Sequence, residues 1–199
     1  GEYQEEVYTS MTTELASSVD ISLQQDASQN DEDDTGLAGG VSRFGYTKLQ
    51  DPIQCLNMTF PMINMTAESS SVTDIQGMID DGKISVKDTI GTKGLKATMD
   101  YIDERSDTNF MKGEFSYKPW VQNSPHKDFF SSDKIGNYSG KIQQICECVK
   151  DTTGVILIYS QYLDGGLIPM ALALESIGVT RHGSPNKSLF KTPPSKPLR

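Results

Sequence analysis

The fold class is decided by one stretch, residues 139–178, which reads SGKIQQICECVKDTTGVILIYSQYLDGGLIPMALALESIG. From Ile142 onward, apolar residues recur at positions i, i+3, i+4 and i+7, which predicts a helix that begins at Ser139 or Gly140 and ends at 152–154. Residues 154–160, GVILIYS, are continuously apolar and β-branched, which is typical of a strand buried on both faces of a parallel sheet. The loop that follows leads into a second helix at about 167–177. This order of elements predicts an α/β fold.

The chain contains only one strand of this quality. A buried parallel strand needs neighbouring strands, because its backbone N–H and C=O groups must be paired. We therefore expect the partner strands to lie outside the 199 residues. The prediction is an incomplete lobe of helix, buried parallel strand and helix, preceded by an irregular α+β connector and a disordered acidic loop.

The net charge of −9 is unevenly distributed. Residues 1–40 hold ten acidic residues and no Lys or Arg, whereas residues 41–199 hold 17 acidic and 18 basic residues. After Gly178 there are five basic residues and no acidic one. The charge therefore argues against a chain that coats nucleic acid along its whole length. It does not argue against nucleic-acid contacts in the C-terminal part.

The pattern predicts four segments. Residues 1–19 carry apolar residues every four positions and form an amphipathic acidic helix, and residues 20–42 form a disordered acidic loop. Residues 43–137 form the connector, with a strand at 53–60 and an extended edge strand near 115–119. A helix is predicted in the second half of 88–103, because Gly91 and Gly94 weaken the first half. Residues 138–199 form the incomplete lobe and a basic, proline-rich tail.

Several motifs are weak matches to catalytic or metal-binding patterns. Residues 77–84, GMIDDGKI, follow a phosphate-loop pattern until Ile84 replaces its Ser or Thr, so an ordinary glycine turn is favoured. The acidic residues at 31–34 and 103–104 follow no apolar strand and are read as solvated charge. Ser160 lacks the G-x-S-x-G context of a hydrolase nucleophile. We predict no catalytic residue and no metal site.

The cysteine count and the absence of an export signal indicate the compartment. Cys55, Cys146 and Cys148 show no metal-binding spacing and are predicted to be free thiols, one or two of them buried. No stretch is apolar enough for a membrane helix, and the N-terminus lacks a signal-peptide pattern. We expect an intracellular protein with no membrane partner.

The carboxyl end of the predicted strand is the best candidate for a binding site. Ligands of open α/β sheets gather at this edge, and a helix N-terminus preceded by glycines offers N–H groups to an anion such as a backbone phosphate. Tyr162 would stack on bases or pack internally, and Tyr159 is expected to pack. The candidate residues for backbone contact are Ser160, Gln161, Tyr162, Gly165 and Gly166, with Arg181 and Lys187 as helpers.

Residues 138–183 resemble the opening of the second RecA-like lobe in superfamily 2 helicases of large nucleocytoplasmic DNA viruses, relatives of the poxvirus early transcription factor ATPase. Tyr159-Ser160-Gln161 matches the motif IV of that family. Residues 44–61, FGYTKLQDPIQCLNMTFP, look like the connector between its two lobes, and EYQEEVYTSM near the start and residues 187–197 are also similar to it.

The resemblance implies two RecA-like lobes, ATP hydrolysis with Mg²⁺ between them, and movement along DNA or RNA, in the virion or the host cytoplasm. The phosphate loop, the acidic motif and the Q-x-x-G-R-x-x-R arginine motif are missing from these 199 residues. The chain would therefore bind no cofactor and hydrolyse no ATP alone, because the groups that clamp the transferred phosphoryl are absent. The first helicase lobe would be its missing partner.

A second reading is a non-catalytic interaction or structural viral protein. In that case the acidic N-terminal helix and loop would bind a basic partner, and the C-terminal tail would dock in an extended form.

Overall fold

A computed structural model of the protein describes residues 1–27, 46–62, 85–101, 115–182 and 188–194. These residues form a mixed structure of helices and one small two-stranded sheet, consistent with the predicted α/β class. The described elements, in chain order, are α1 (Glu2–Ala27), α2 (Tyr46–Asn57), a 3₁₀ turn (Val86–Thr89), α3 (Gly91–Thr98), β1 (Met99–Asp100), β2 (Ser116–Tyr117), α4 (Pro119–Gln122), α5 (Ile135–Tyr138), α6 (Gly140–Asp151), a π-helix (Leu163–Leu167) and α7 (Ile168–Ser176).

The sheet pairs β1 with β2 in antiparallel order, with Met99 opposite Tyr117. A parallel bridge between Phe115 and Phe190 adds the C-terminal segment beside β2. Phe115 N–H donates to Leu189 O at 2.8 Å, and Lys191 N–H donates to Phe115 O at 2.9 Å. The extended segment predicted near 115–119 is therefore present, and residues 188–191 are held against it.

The two helices predicted in the deciding stretch are confirmed. Ser139 is the N-cap of α6, and its Oγ accepts a hydrogen bond from Ile142 N–H at 3.0 Å. The same hydroxyl donates to Asn57 O at 2.6 Å, which ties the start of α6 to the end of α2. Helix α7 has Pro169 in its first turn, and Gly178 follows its end with φ of +101°, a conformation that favours glycine.

The helix predicted at the N-terminus is present and extends to Ala27, so residues 20–27 are helical rather than part of the predicted loop. Tyr3, Val7 and Met11 share one face and are buried. Tyr3 Oη donates to Phe60 O and Gln4 Nε2 donates to Cys55 O, each at 2.8 Å. These contacts fix the first half of α1 on the core. The remainder of the predicted acidic loop, residues 28–42, lies outside the described residues.

The strand predicted at 53–60 is wrong, because residues 46–57 form α2 and residues 58–62 form no strand. Pro52 and Cys55 are buried three positions apart, while Leu49 and Leu56 are exposed, so the burial follows a helical period. Packing against α1 and α6 outweighs the β-like composition of this segment and the proline inside the helix.

The helix predicted in the second half of 88–103 is misplaced. The helix is α3, which contains both glycines, and Met99 and Asp100 form β1. A Cβ at Gly94 would lie 2.5 Å from Phe60 Cδ2, so glycine allows α3 to approach Phe60 closely. The glycines allow α3 to pack closely on its neighbours. The helix therefore forms despite the low helix propensity of glycine.

The core is an aromatic cluster between β2, the loop that follows α4, and α5. Phe129 is fully buried and contacts Phe60, Tyr117, Phe130 and Tyr138 at ring-centroid distances between 4.4 and 6.3 Å. His126 Nδ1 lies 2.7 Å from Tyr138 Oη within the same cluster. His126 therefore belongs to the core.

The segment 154–160 departs from its prediction. It forms no strand with any residue that the structure describes, and Val155, Leu157 and Tyr159 are 103%, 92% and 86% exposed. Ile158 alone among the apolar residues of this run packs against the core. The degree of exposure alternates as in a strand, with Ile156 at 42% between Val155 and Leu157, but no described strand lies beside the segment to cover its side chains or to pair its backbone. In this structure the predicted buried strand is therefore an exposed segment.

Candidate backbone-binding turn

Ser160 fixes the first bend of the predicted binding turn. Its Oγ accepts a hydrogen bond from the backbone N–H of Tyr162 at 3.1 Å, a local bond that serine commonly makes in turns. A Cβ added to Gly166 would lie 2.4 Å from the same Oγ. The two ends of the turn are therefore in contact, and a side chain at position 166 would displace Ser160.

The turn closes as the π-helix Leu163–Leu167, which continues directly into α7. Leu167 N–H donates to Tyr162 O at 3.0 Å, the wide i→i+5 spacing of a π turn. Single π turns are frequent at functional sites, and the first N–H groups of a helix attract anions. The turn thus combines two features that favour a phosphate contact.

The predicted site residues differ in exposure. Gln161 and Arg181 are exposed, Ser160 and Tyr162 are half-buried, Gly165 and Gly166 are buried, and Lys187 lies outside the described residues. Within residues 160–166, Gln161 is therefore the exposed candidate, and Ser160 is half-buried, as is Tyr162. The two glycines allow close packing in this structure.

The structure does not bring Arg181 to the turn. Arg181 follows the C-terminal end of α7, near Glu175, whereas the turn precedes its N-terminal end. A helix of nine residues is about 14 Å long. A single phosphate therefore does not reach both the turn and Arg181. Only a strand of several nucleotides would contact both.

Glu175 attaches the C-terminal segment to α7. Its carboxylate accepts a hydrogen bond from Leu189 N–H at 2.7 Å and another from the Ser188 hydroxyl. Partial burial raises the pKa of Glu175, although the N–H donors of Leu189 and Phe190 and the charge of Arg181 act in the opposite direction. The described part of the basic tail is thus bound to the chain itself.

A junction that the sequence did not predict lies behind the turn. The Thr92 hydroxyl at the start of α3 donates to Asp164 Oδ2 at 2.5 Å. A Cβ at Gly165 would lie 3.1 Å from Gln54 Oε1 and 3.2 Å from Gly91 Cα, so the backbones of residues 91 and 165 are in close contact. The turn therefore rests on α2 and α3, two elements of the predicted connector.

Sequence reasoning treated Gly91 only as a weak point in a helix and did not consider Gln54, Thr92 or Asp164. The one signal was the pair of short glycine motifs, GTKG at 91–94 and DGG at 164–166. Glycine at both positions allows two backbones to approach closely, but a single sequence does not show which glycines meet.

Two ion pairs flank the junction and contribute little to its stability. Lys93 Nζ lies 3.0 Å from Asp88 Oδ1, and Lys87 Nζ lies 3.6 Å from Asp51 Oδ2. Three of the four side chains are more than half exposed and that of Asp51 is 39% exposed, so solvent screens both pairs.

For the metal of a helicase, the structure bears only on the described part of the chain. There, no group of three or more His, Cys, Asp or Glu side chains could hold a metal ion. The phosphate-loop-like residues 77–84 and the acidic residues at 31–34 and 103–104 lie outside the described residues.

No described helix is long and apolar enough to cross a membrane. Comparisons with protein-family models, with curated proteins and with solved structures find no match to the chain.

Proposed function

We propose that the chain is the interlobe region and the start of the second RecA-like lobe of a superfamily 2 helicase of the large-DNA-virus type. One observation carries the proposal: an apolar segment with alternating exposure, 155–159, lies unpaired among the described residues immediately before a glycine turn and a helix. Strand, turn and helix in this order form the binding edge of an α/β lobe.

The exposed side chains of this segment indicate that its neighbouring strands and helices are missing. Val155, Leu157 and Tyr159 present an apolar surface without charges, which a folded protein normally covers. In a complete lobe, neighbouring strands would pair this backbone and helices would cover both faces. ATP and Mg²⁺ would bind in the complete enzyme, and this piece alone would have no ATPase activity.

The turn would contribute contacts to the sugar–phosphate backbone of DNA or RNA. The exposed Gln161 and the half-buried Ser160 would donate hydrogen bonds to it, and the first N–H groups of the π-helix would favour a phosphate. Gly165 and Gly166 would shape the turn, Tyr162 would support it, and Arg181 and Lys187 would contact neighbouring phosphates. Such an enzyme would act in the virion or the host cytoplasm.

The longer reading frame gives the first test. We expect a phosphate loop upstream of these residues and an arginine motif downstream. In the longer protein, hydrogen exchange of amides 155–159 should be slow, whereas in the 199-residue chain it should be fast. If both motifs are missing from the flanking sequence, the helicase assignment is wrong.

A binding titration gives the second test. Fluorescence anisotropy of a labelled oligo(dT) of about 20 nucleotides should show binding at low salt, with affinity falling linearly in a log–log plot against salt concentration. Gln161→Ala should weaken binding about fivefold, as expected for one lost hydrogen bond. Gln144→Ala, which removes an exposed amide from α6, is the matched control and should leave the affinity unchanged.

The alternative of a non-catalytic interaction protein has one supporting observation. The exposed apolar side chains of Val155, Leu157 and Tyr159 would also be covered by a protein partner. Residues 188–191 of the tail are already bonded to Phe115 and Glu175, so this part of the tail is not available for docking elsewhere. A stable chain that does not bind oligo(dT) or oligo(rU) at low salt would favour the alternative.

A further inference from the structure

The turn of the proposed backbone contact is supported by residues that lie about 70 residues earlier in the chain. Asp164, at the second position of the π-helix, accepts its hydrogen bond from Thr92, the second residue of α3. This bond connects the predicted connector to the predicted lobe.

Close backbone contact reinforces this bond. Gly91 has φ of +53°, a conformation that side chains rarely adopt, and a Cβ there would lie 2.5 Å from Gln54 Oε1. Gly165 packs on the same two residues. The backbones of α3 and the π-helix are therefore in direct contact at Gly91 and Gly165, beside the Thr92–Asp164 bond.

The bond, which lies at the exposed surface, also positions the negative charge of Asp164 at the turn. Asp164 is the acidic residue within 160–167, and a carboxylate beside the first N–H groups of a helix competes with a phosphate for them. The Thr92 hydroxyl holds this carboxylate toward α3. Loss of this bond would therefore free the Asp164 carboxylate and remove one of the contacts between the turn and α3.

We propose that Thr92 is a positioning residue for the backbone-binding turn, acting through Asp164 on residues 160–166. The inference rests on the proposed function. It extends that function because it gives the connector a defined role in nucleic-acid binding.

The test compares Thr92→Val, which keeps the shape and removes the hydroxyl, with Thr92→Ser, which keeps the hydroxyl. Thr13→Val removes a comparable exposed hydroxyl from α1, where Thr13 Oγ1 donates to Thr9 O, and is the matched control. Each full 199-residue variant is titrated with labelled oligo(dT), and hydrogen exchange of amides 163–167 is measured in parallel.

Thr92→Val should weaken oligo(dT) binding about fivefold and accelerate exchange at 163–167, whereas Thr92→Ser and Thr13→Val should behave as wild type. If Thr92→Val accelerates exchange but binds normally, Thr92 has a structural role only and the inference is overturned. If wild type binds and Thr92→Val matches it in both measurements, the inference fails while the proposed function stands. If the wild-type chain does not bind, both fail.

Discussion

The aromatic core around Phe129 and the segment 155–159 are both rich in apolar residues, but they have opposite environments. Phe129 is fully enclosed by rings from four other positions, whereas Val155, Leu157 and Tyr159 are almost completely exposed. The core obtains its partners from segments that the chain contains, namely residues 58–62 and 115–142. The exposed segment has an apolar composition but no strand beside it in the described structure.

This difference shows that apolar composition indicates where burial is favourable but does not supply the surface that completes it. Burial stabilises by about 25 cal/mol per Å² only when a second apolar surface displaces the water. Substitutions in the two regions should therefore have very different effects on stability.

The largest effect is expected for Phe129→Ala. Removal of the ring leaves a cavity among Phe60, Tyr117, Phe130 and Tyr138, and should lower the free energy of unfolding by about 3–5 kcal/mol. Chemical denaturation followed by circular dichroism measures this loss. Phe129→Leu keeps most of the volume and should cost about 1 kcal/mol. Equal stability of Phe129→Ala and wild type would show that the cluster is not the core.

A smaller effect is expected for Ser139→Ala. This change removes the N-cap of α6 and the bond to Asn57 O, and should cost about 1–2 kcal/mol of unfolding free energy. Ser17→Ala, which removes an exposed hydroxyl bonded within α1, should stay within about 0.5 kcal/mol of wild type. The same denaturation experiment would contradict the assignment if both serine variants behaved alike.

The smallest effect is expected for Leu157→Ser. Because this side chain contacts almost nothing, the 199-residue chain should keep its stability within about 0.5 kcal/mol. Ile158→Ser, one residue further on, loses a side chain that packs against the core and should cost about 1 kcal/mol. A large loss for Leu157→Ser in the isolated chain would mean that residue 157 is buried in solution.

Local signals were sufficient to predict α6 and α7. The cap at Ser139, the helical apolar spacing and the stop at Gly178 all lie within one segment, so the structure agrees with them. The turn between Ser160 and Gly166 was predicted for the same reason.

Signals that depend on distant residues were not sufficient. Residues 53–57 were assigned to a strand from their apolar composition. They are helical because α2 packs against α1, and this packing outweighs local propensity. The sequence did not predict the contact between Thr92 and Asp164, because these residues lie far apart in the chain. The same limit applies to 155–159, whose environment depends on what lies beside it.

The attachment of the first turn of α1 has a consequence for the order of folding. Tyr3 and Gln4 bond to Phe60 and Cys55, and Gln4 Oε1 accepts from Gly140 N–H, 136 positions further along the chain. Contacts between such distant positions form slowly, because a long loop must close first. During synthesis on the ribosome, α1 therefore emerges long before its last partner exists. The first turn of α1 is translated before these partners but should be among the last of the described segments to reach its native contacts.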